Sequence, residues 1–223
     1  MTNGIIDSGQ KIVTNGLLLN LDAAQLRSYP TTGTTWSDLS GNGYNGTLTN
    51  GPTFNSANGG NIVFDGGNDY VVSNLSKTNL GSQFTLNFWM YPTGAQTSRG
   101  ILQFGNSLNN IAPFILLQRN TSTTVRWYLN GDYRINLTIL DNTYTNLCLT
   151  YNGTTWTPYV NGSQVGTPYT GAIGGNSGNL FYLGNGFGGY FSGRISQTIA
   201  YNRSFTATEV LQNFNANSSR YGL

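Results

Sequence analysis

Seven aspartates (Asp7, Asp22, Asp38, Asp65, Asp69, Asp132 and Asp141) and one glutamate, Glu209, are the whole carboxylate inventory of this 223-residue chain. Glycosidic hydrolysis ordinarily needs two carboxyl groups facing each other across the bond, one to give a proton and one to act as base or nucleophile. The nearest acids in sequence, Asp65 and Asp69, lie in Phe64-Asp65-Gly66-Gly67-Asn68-Asp69-Tyr70-Val71, which reads as a turn. With Asn68 they offer the hard oxygen donors that calcium takes. The competing reading is a turn whose Asp side chains accept from nearby backbone amides. Histidine is absent, which removes Ser–His and Cys–His nucleophiles and the ordinary zinc sites. The single cysteine, Cys148, sits in the alternating run Asn146 to Tyr151 and reads as a small strand residue with no base to activate it. No catalytic residue is assigned, and the chain is expected not to be an enzyme.

Aromatic rings are the second chemical resource: 14 tyrosines, 11 phenylalanines and four tryptophans. A sugar presents an apolar C–H face, so a stacking ring flanked by amides or a guanidinium makes a binding patch. Arg126, Trp127 and Tyr128, with Tyr133 across a hairpin, form one candidate, and Trp156 between two turns is another ligand-binding candidate. Trp89 and Tyr91 form a further patch. Against this, Trp127 shares its strand face with Val125 and Leu129, and sandwiches bury large rings on their inner faces.

The elements that must position these side chains follow from a period of two. Phe84, Leu86, Phe88 and Met90 alternate with Thr85, Asn87, Trp89 and Tyr91; Val125, Trp127 and Leu129 alternate with Arg126 and Tyr128; and Ile135, Leu137 and Ile139 follow. Asn130-Gly131, Asn152-Gly153 and Asn161-Gly162 each follow a strand-like segment, as Asn-Gly does in tight hairpins. One helix is expected near the C-terminus. Thr206-Ala207-Thr208-Glu209 is a capping box, Phe205 and Val210 flank it as a hydrophobic staple, and Leu211 and Phe214 continue an apolar stripe. The expected fold is all-β: an antiparallel two-sheet sandwich with one short C-terminal helix. Gly171 to Gly178 reads as a long surface loop inside one domain, since strand patterns resume at Leu180 to Leu183 and at Phe191 to Tyr201.

Charged residues make up only 8% of the chain, and the formal net charge is +2. The basic residues form no run, so no nucleic-acid partner is expected. No apolar stretch reaches membrane-spanning length, so no membrane partner is expected either. Residues 1 to 10 lack the basic-then-apolar pattern of a secretory leader. Residues 1–15 read as an N-terminal arm, and residues 16–223 as the domain.

Four segments in order carry a family resemblance: Phe64 to Val71, Phe84 to Pro92, Tyr159-Val160-Asn161-Gly162, and Gly193-Arg194-Ile195 through Tyr201-Asn202-Arg203-Ser204-Phe205-Thr206. They resemble the laminin-G-like jelly rolls of the concanavalin A-like lectin/glucanase superfamily. Gly16 to Ala23, Trp36 to Gly46 and Arg220 to Leu223 are similar to domains of tailed-phage virion proteins and bacterial surface proteins. Glucanases of that superfamily carry a Glu-x-Asp-x-x-Glu strand, which this chain does not contain. Where relatives often carry Asp-Glu-Val, it has Ser196-Gln197-Thr198, which weakens an inherited cation site. The resemblance implies a jelly roll displayed as a virion structural module, such as a capsid decoration or a head or tail fibre. In that reading the arm docks on other virion proteins, and cell-surface glycan is a further ligand. The alternative is a carbohydrate-binding lectin domain of a phage or bacterial surface protein. A homo-oligomer would suit display, although no heptad pattern or other oligomerisation signal occurs.

Overall fold

A computed structural model describes residues 10–94, 96–106, 111–130, 132–174 and 180–223. Two antiparallel sheets face each other. The first runs in the order Ser163–Gln164, Thr155–Val160, Thr145–Tyr151, Phe84–Pro92, Ser192–Tyr201, Asn61–Asp65 and Thr53–Asn55. Leu17–Asp22 also pairs with Ser192–Tyr201. The second runs Asp132–Thr138, Thr124–Leu129, Ile111–Thr121, Arg99–Asn106, Leu180–Leu183, Tyr70–Ser76, Gly46–Thr49 and Thr35–Trp36. The expected sandwich is therefore what forms, and period-two alternation supplies its core. Phe88 from the first sheet meets Trp127 from the second edge-to-face, with ring centroids 6.5 Å apart.

Local turn chemistry follows the Asn-Gly expectation at Asn161-Gly162 and Asn130, whereas at Asn152-Gly153 only the glycine takes a positive φ. Asn161 and Gly162 take φ of 49° and 77°, the left-handed pair of a tight hairpin, and Asn130 takes 57°. Asp38 organises the Trp36 to Gly46 segment. Its carboxylate accepts from the amides of Asn20, Ser40 and Tyr44 and from the Ser40 hydroxyl.

The first sheet is roofed on its outer side. The helix Ala207–Ser218 begins as expected: the Thr206 hydroxyl accepts from the Glu209 amide, and the Thr206 amide donates to Glu209 Oε2 at 2.9 Å. Its buried stripe, however, is Val210 and Asn213, with Phe214 half-buried and Leu211 exposed. A polar residue takes the centre because it has a task there. Asn213 Oδ1 accepts the Val13 amide at 2.8 Å, Asn213 Nδ2 donates to the Tyr201 hydroxyl at 2.9 Å, and that hydroxyl donates to the Val13 carbonyl at 2.9 Å. One backbone unit is thus held at both its donor and its acceptor, as a neighbouring strand would hold it. Of the expected arm, residues 1–9 fall outside the described residues. The rest is clasped by the chain's own domain, with Lys11 and Asn15 carbonyls taken by Gln212 and Arg203.

Trp89 belongs to the same roof. It stacks on Tyr221 at 4.1 Å and on Phe214 at 5.5 Å and is wholly buried. This corrects the expectation of a binding patch at Trp89 and Tyr91: the strand face turned away from the core is covered by the C-terminal segment. Arg220 closes that edge, with Nη1 on Asp22 at 2.8 Å and Nη2 on the Gly60 carbonyl at 2.7 Å.

Candidate functional site

Among the described residues, the outer side of the second sheet has no counterpart of the roof formed by Ala207–Ser218. Register aligns Thr47, Val72, Tyr182, Gln103, Leu116 and Tyr128 in one row across six strands. Beside it, Gln118 lies between Gly100 and Arg126, and Arg126 faces Asn136. Tyr128, Arg126 and Tyr182 are half-buried and Asn136 is exposed, while their strand neighbours Val125, Trp127, Leu129 and Leu183 point into the core. Arg126 Nε donates to Asn136 Oδ1 at 2.9 Å. Tyr182 lies 6.2 Å from Tyr70, ring to ring. Burial raises the Tyr182 pKa, and the neighbouring Tyr70 adds to it, so Tyr182 remains a neutral hydroxyl donor at ordinary pH.

Two residues of that row are buried although they face outward: Gln103 and Leu116, at 1% and 2% exposure. The hairpin of Asn185–Gly186 and Gly189–Tyr190 covers them. A Cβ on Gly186 would stand 2.7 Å from Leu116 Cδ1 and 2.8 Å from the Gly100 Cα, so the hairpin lies against the sheet only because both positions are glycine. Its tip is fastened twice. Gln118 Nε2 donates to the Phe187 carbonyl at 2.7 Å, and Arg99 Nη1 donates to the Gly188 carbonyl. The Phe187 ring, by contrast, is 64% exposed.

The expected site residues separate cleanly. Arg126 and Tyr128 lie on the outer face. The Tyr133 side chain lies outside the described residues, although its backbone pairs with Tyr128. Trp127 and Trp156 are corrections: both are wholly buried. Trp156 packs against Phe84 and Tyr151 at 5.6 and 4.2 Å and donates its indole N–H to the Gly171 carbonyl at 2.9 Å. An indole enclosed this way has no face for a ligand. Phe187, Gln118 and Gln103 were not singled out from sequence. The available signal was one aromatic in the glycine-rich run Gly184-Asn185-Gly186-Phe187-Gly188-Gly189.

The Asp65–Asp69 segment forms an internally bonded turn. Asp65 Oδ1 accepts from the Gly67 amide at 2.7 Å, and Asp69 Oδ2 accepts from the Asp65 amide at 3.1 Å. The Asn68 carbonyl accepts from Asn50 Nδ2. Burial pushes the Asp69 carboxyl above its usual range; its hydrogen bond from the Asp65 backbone opposes this, and the Asp65 carboxylate beside it adds to it. Among the described residues no group of three or more His, Cys, Asp or Glu could hold a metal. Cys148 is buried, and burial pushes its thiol up to about 12.

The described acids each have a partner of this kind. Asp22 meets Arg220, Asp132 meets Arg134, Asp141 meets Arg119, and Glu209 meets Arg203 and its own helix cap. No described helix is long and apolar enough to cross a membrane.

A family model described as the concanavalin A-like lectin/glucanases superfamily matches residues 65–211, well over half of the chain. No curated protein sequence matches it. Among solved structures, Trypanosoma rangeli sialidase in complex with sialic acid superposes with a TM-score of 0.72 at 14% identity, over 91% of this chain and 33% of the sialidase. The receptor binding domain of botulinum neurotoxin type G gives 0.69 at 17% identity, over 90% of this chain and 51% of that one. Domain 4 of AbnA, a GH43 extracellular arabinanase from Geobacillus stearothermophilus, in complex with arabinotriose, gives 0.65 at 17% identity, over 88% of this chain and 97% of that one. The chain thus spans about a third of the sialidase and nearly the whole of the arabinanase domain. At these identities the likeness is one of fold.

Proposed function

The chain belongs to the concanavalin A-like lectin/glucanases superfamily, and on that premise we propose that it is a non-catalytic carbohydrate-recognition module whose glycan lies on the outer face of the second sheet. The carrying observation is the asymmetry of the two outer faces. One is sealed by the C-terminal helix, while the other leaves Tyr128, Arg126, Asn136 and Tyr182 at the surface. That mixture of rings, an amide and a guanidinium is what a sugar needs: apolar faces to stack on and directional donors for its hydroxyls. The arabinotriose complex of the similarly shaped domain supports sugar as the ligand class. The commitment of the described carboxylates to arginines, caps and turns supports binding without hydrolysis.

In the finer reading the module is displayed on a tailed-phage virion. The resemblance of Gly16 to Ala23 and of Trp36 to Gly46 to domains of such virions supports it. Since residues 11–15 are held by the domain itself, docking on other virion proteins would fall to the part of the arm before them.

The test is a glycan array probed with the folded protein, alongside a reducing-end assay on each glycan that binds. Binding without release of new reducing ends is expected. A folded protein that retains no glycan overturns the recognition role, and new reducing ends overturn the non-catalytic one.

A further inference from the structure

We infer that Phe187 is the stacking anchor for a neutral saccharide ring, and that Gln118 and Arg99 are positioning residues that hold its hairpin in place. This rests on the carbohydrate-recognition reading and assigns its contact point. A phenylalanine 64% exposed offers a ring face to a ligand, and it does so at the smallest entropic cost when its backbone is already fixed. This one is fixed: the carbonyls of Phe187 and Gly188 are both taken by side chains from the sheet below, and Gly186 lies in contact with Gly100 and Leu116. The ring is therefore presented without the entropy cost that ordering a free loop would add on binding.

The neutral class follows from how the nearby donors are spent. The Gln118 amide and Arg99 Nη1 both serve the hairpin's own carbonyls, and Arg126 Nε, next along, serves Asn136 Oδ1, so these donors are directed at the protein rather than at an acidic group. A ring with a bare C–H face, stacked on Phe187 with its hydroxyls turned to the sheet, matches that arrangement.

The four tryptophans, Trp36, Trp89, Trp127 and Trp156, are wholly buried, which leaves a spectroscopic window at the surface. Wild type, Phe187→Ala, Phe187→Trp, Gln118→Ala and Gln118→Glu would be titrated with arabinotriose, cellotriose, mannotriose and 3′-sialyllactose, with urea midpoints confirming the fold of each. Binding of a neutral trisaccharide by wild type is expected, falling at least tenfold in Phe187→Ala and persisting in Phe187→Trp, whose emission shifts on binding while the wild-type emission does not. Gln118→Glu keeps the shape but loses the donor, so it should weaken binding about as much as Gln118→Ala; a purely steric role would leave it unchanged. Undiminished binding by Phe187→Ala overturns the anchor while leaving the recognition reading intact. Phe187-dependent binding of 3′-sialyllactose alone overturns the neutral assignment. Wild type that binds none of the four overturns the inference, and the array then decides the reading beneath it.

Discussion

The outer faces of the two sheets start from the same strand alternation and end as opposites. On the first sheet, Trp89, Cys148, Tyr159, Ile199 and Tyr201 are sealed beneath Val13, Phe205, Val210, Phe214 and Tyr221. On the second, a small hairpin covers two residues of the row and leaves the rest at the surface. A sandwich needs only its inner faces for a core. Closing one outer face therefore adds stability that the open face does not carry, and the open face is free to accept sequence chosen for contact.

That contrast can be broken most severely at the roof. Trp89→Ala removes a fully buried indole stacked on two rings, and should cost about 3–5 kcal/mol in urea unfolding. A loss under 1 kcal/mol would mean that the roof is not integral to the fold. Asn213→Ala leaves the Val13 amide and the Tyr201 hydroxyl short of partners; the expected loss is about 1–3 kcal/mol, with faster amide exchange at Val13. Thr206→Ala removes the helix cap, and about 1 kcal/mol should go with it.

The same helix end carries a pH dependence. The hydrogen bond from Arg203, helped by those from Thr206, holds the Glu209 carboxyl at about 2. Its contribution is fully present above the unfolded value of roughly 4.3 and is lost as pH falls through 2. Stability should thus decline between those values more steeply in wild type than in Glu209→Gln. Equal slopes would remove Glu209 from the acid response. On the open face, Asn136→Ala should change stability by less than about 0.5 kcal/mol while weakening glycan retention. A larger stability loss would mean that this face too is structural.

Local signals were legible in the sequence because their physics is local. The Thr206–Glu209 box, the Asn161-Gly162 turn and the alternation of Val125 to Leu129 involve residues within a few positions of one another, and each took the expected form. Trp89 could not be placed this way. Its strand face is polar-facing by periodicity, and only the return of Tyr221 and Phe214 from more than a hundred residues away covers it. Trp156 was ambiguous for a related reason, since the carbonyl that satisfies its N–H comes from Gly171, across a separate loop. Half of the proposed strip, Arg126 and Tyr128, followed from strand parity. Phe187 did not, because its significance lies in Gln118 and Arg99, which only the fold brings beneath it.

The clasp formed by Asn213 and Tyr201 on Val13 also has a mechanical meaning. Tension applied through the N-terminal segment would load the Gln212 bond to Lys11 and then those hydrogen bonds, and through them the helix that bears Gln212 and Asn213, on the roofed side of the molecule. The hairpin carrying Phe187 belongs to the other sheet and lies outside that line of force. A module tethered by its beginning could therefore be pulled hard enough to peel its roof while its exposed face kept its shape.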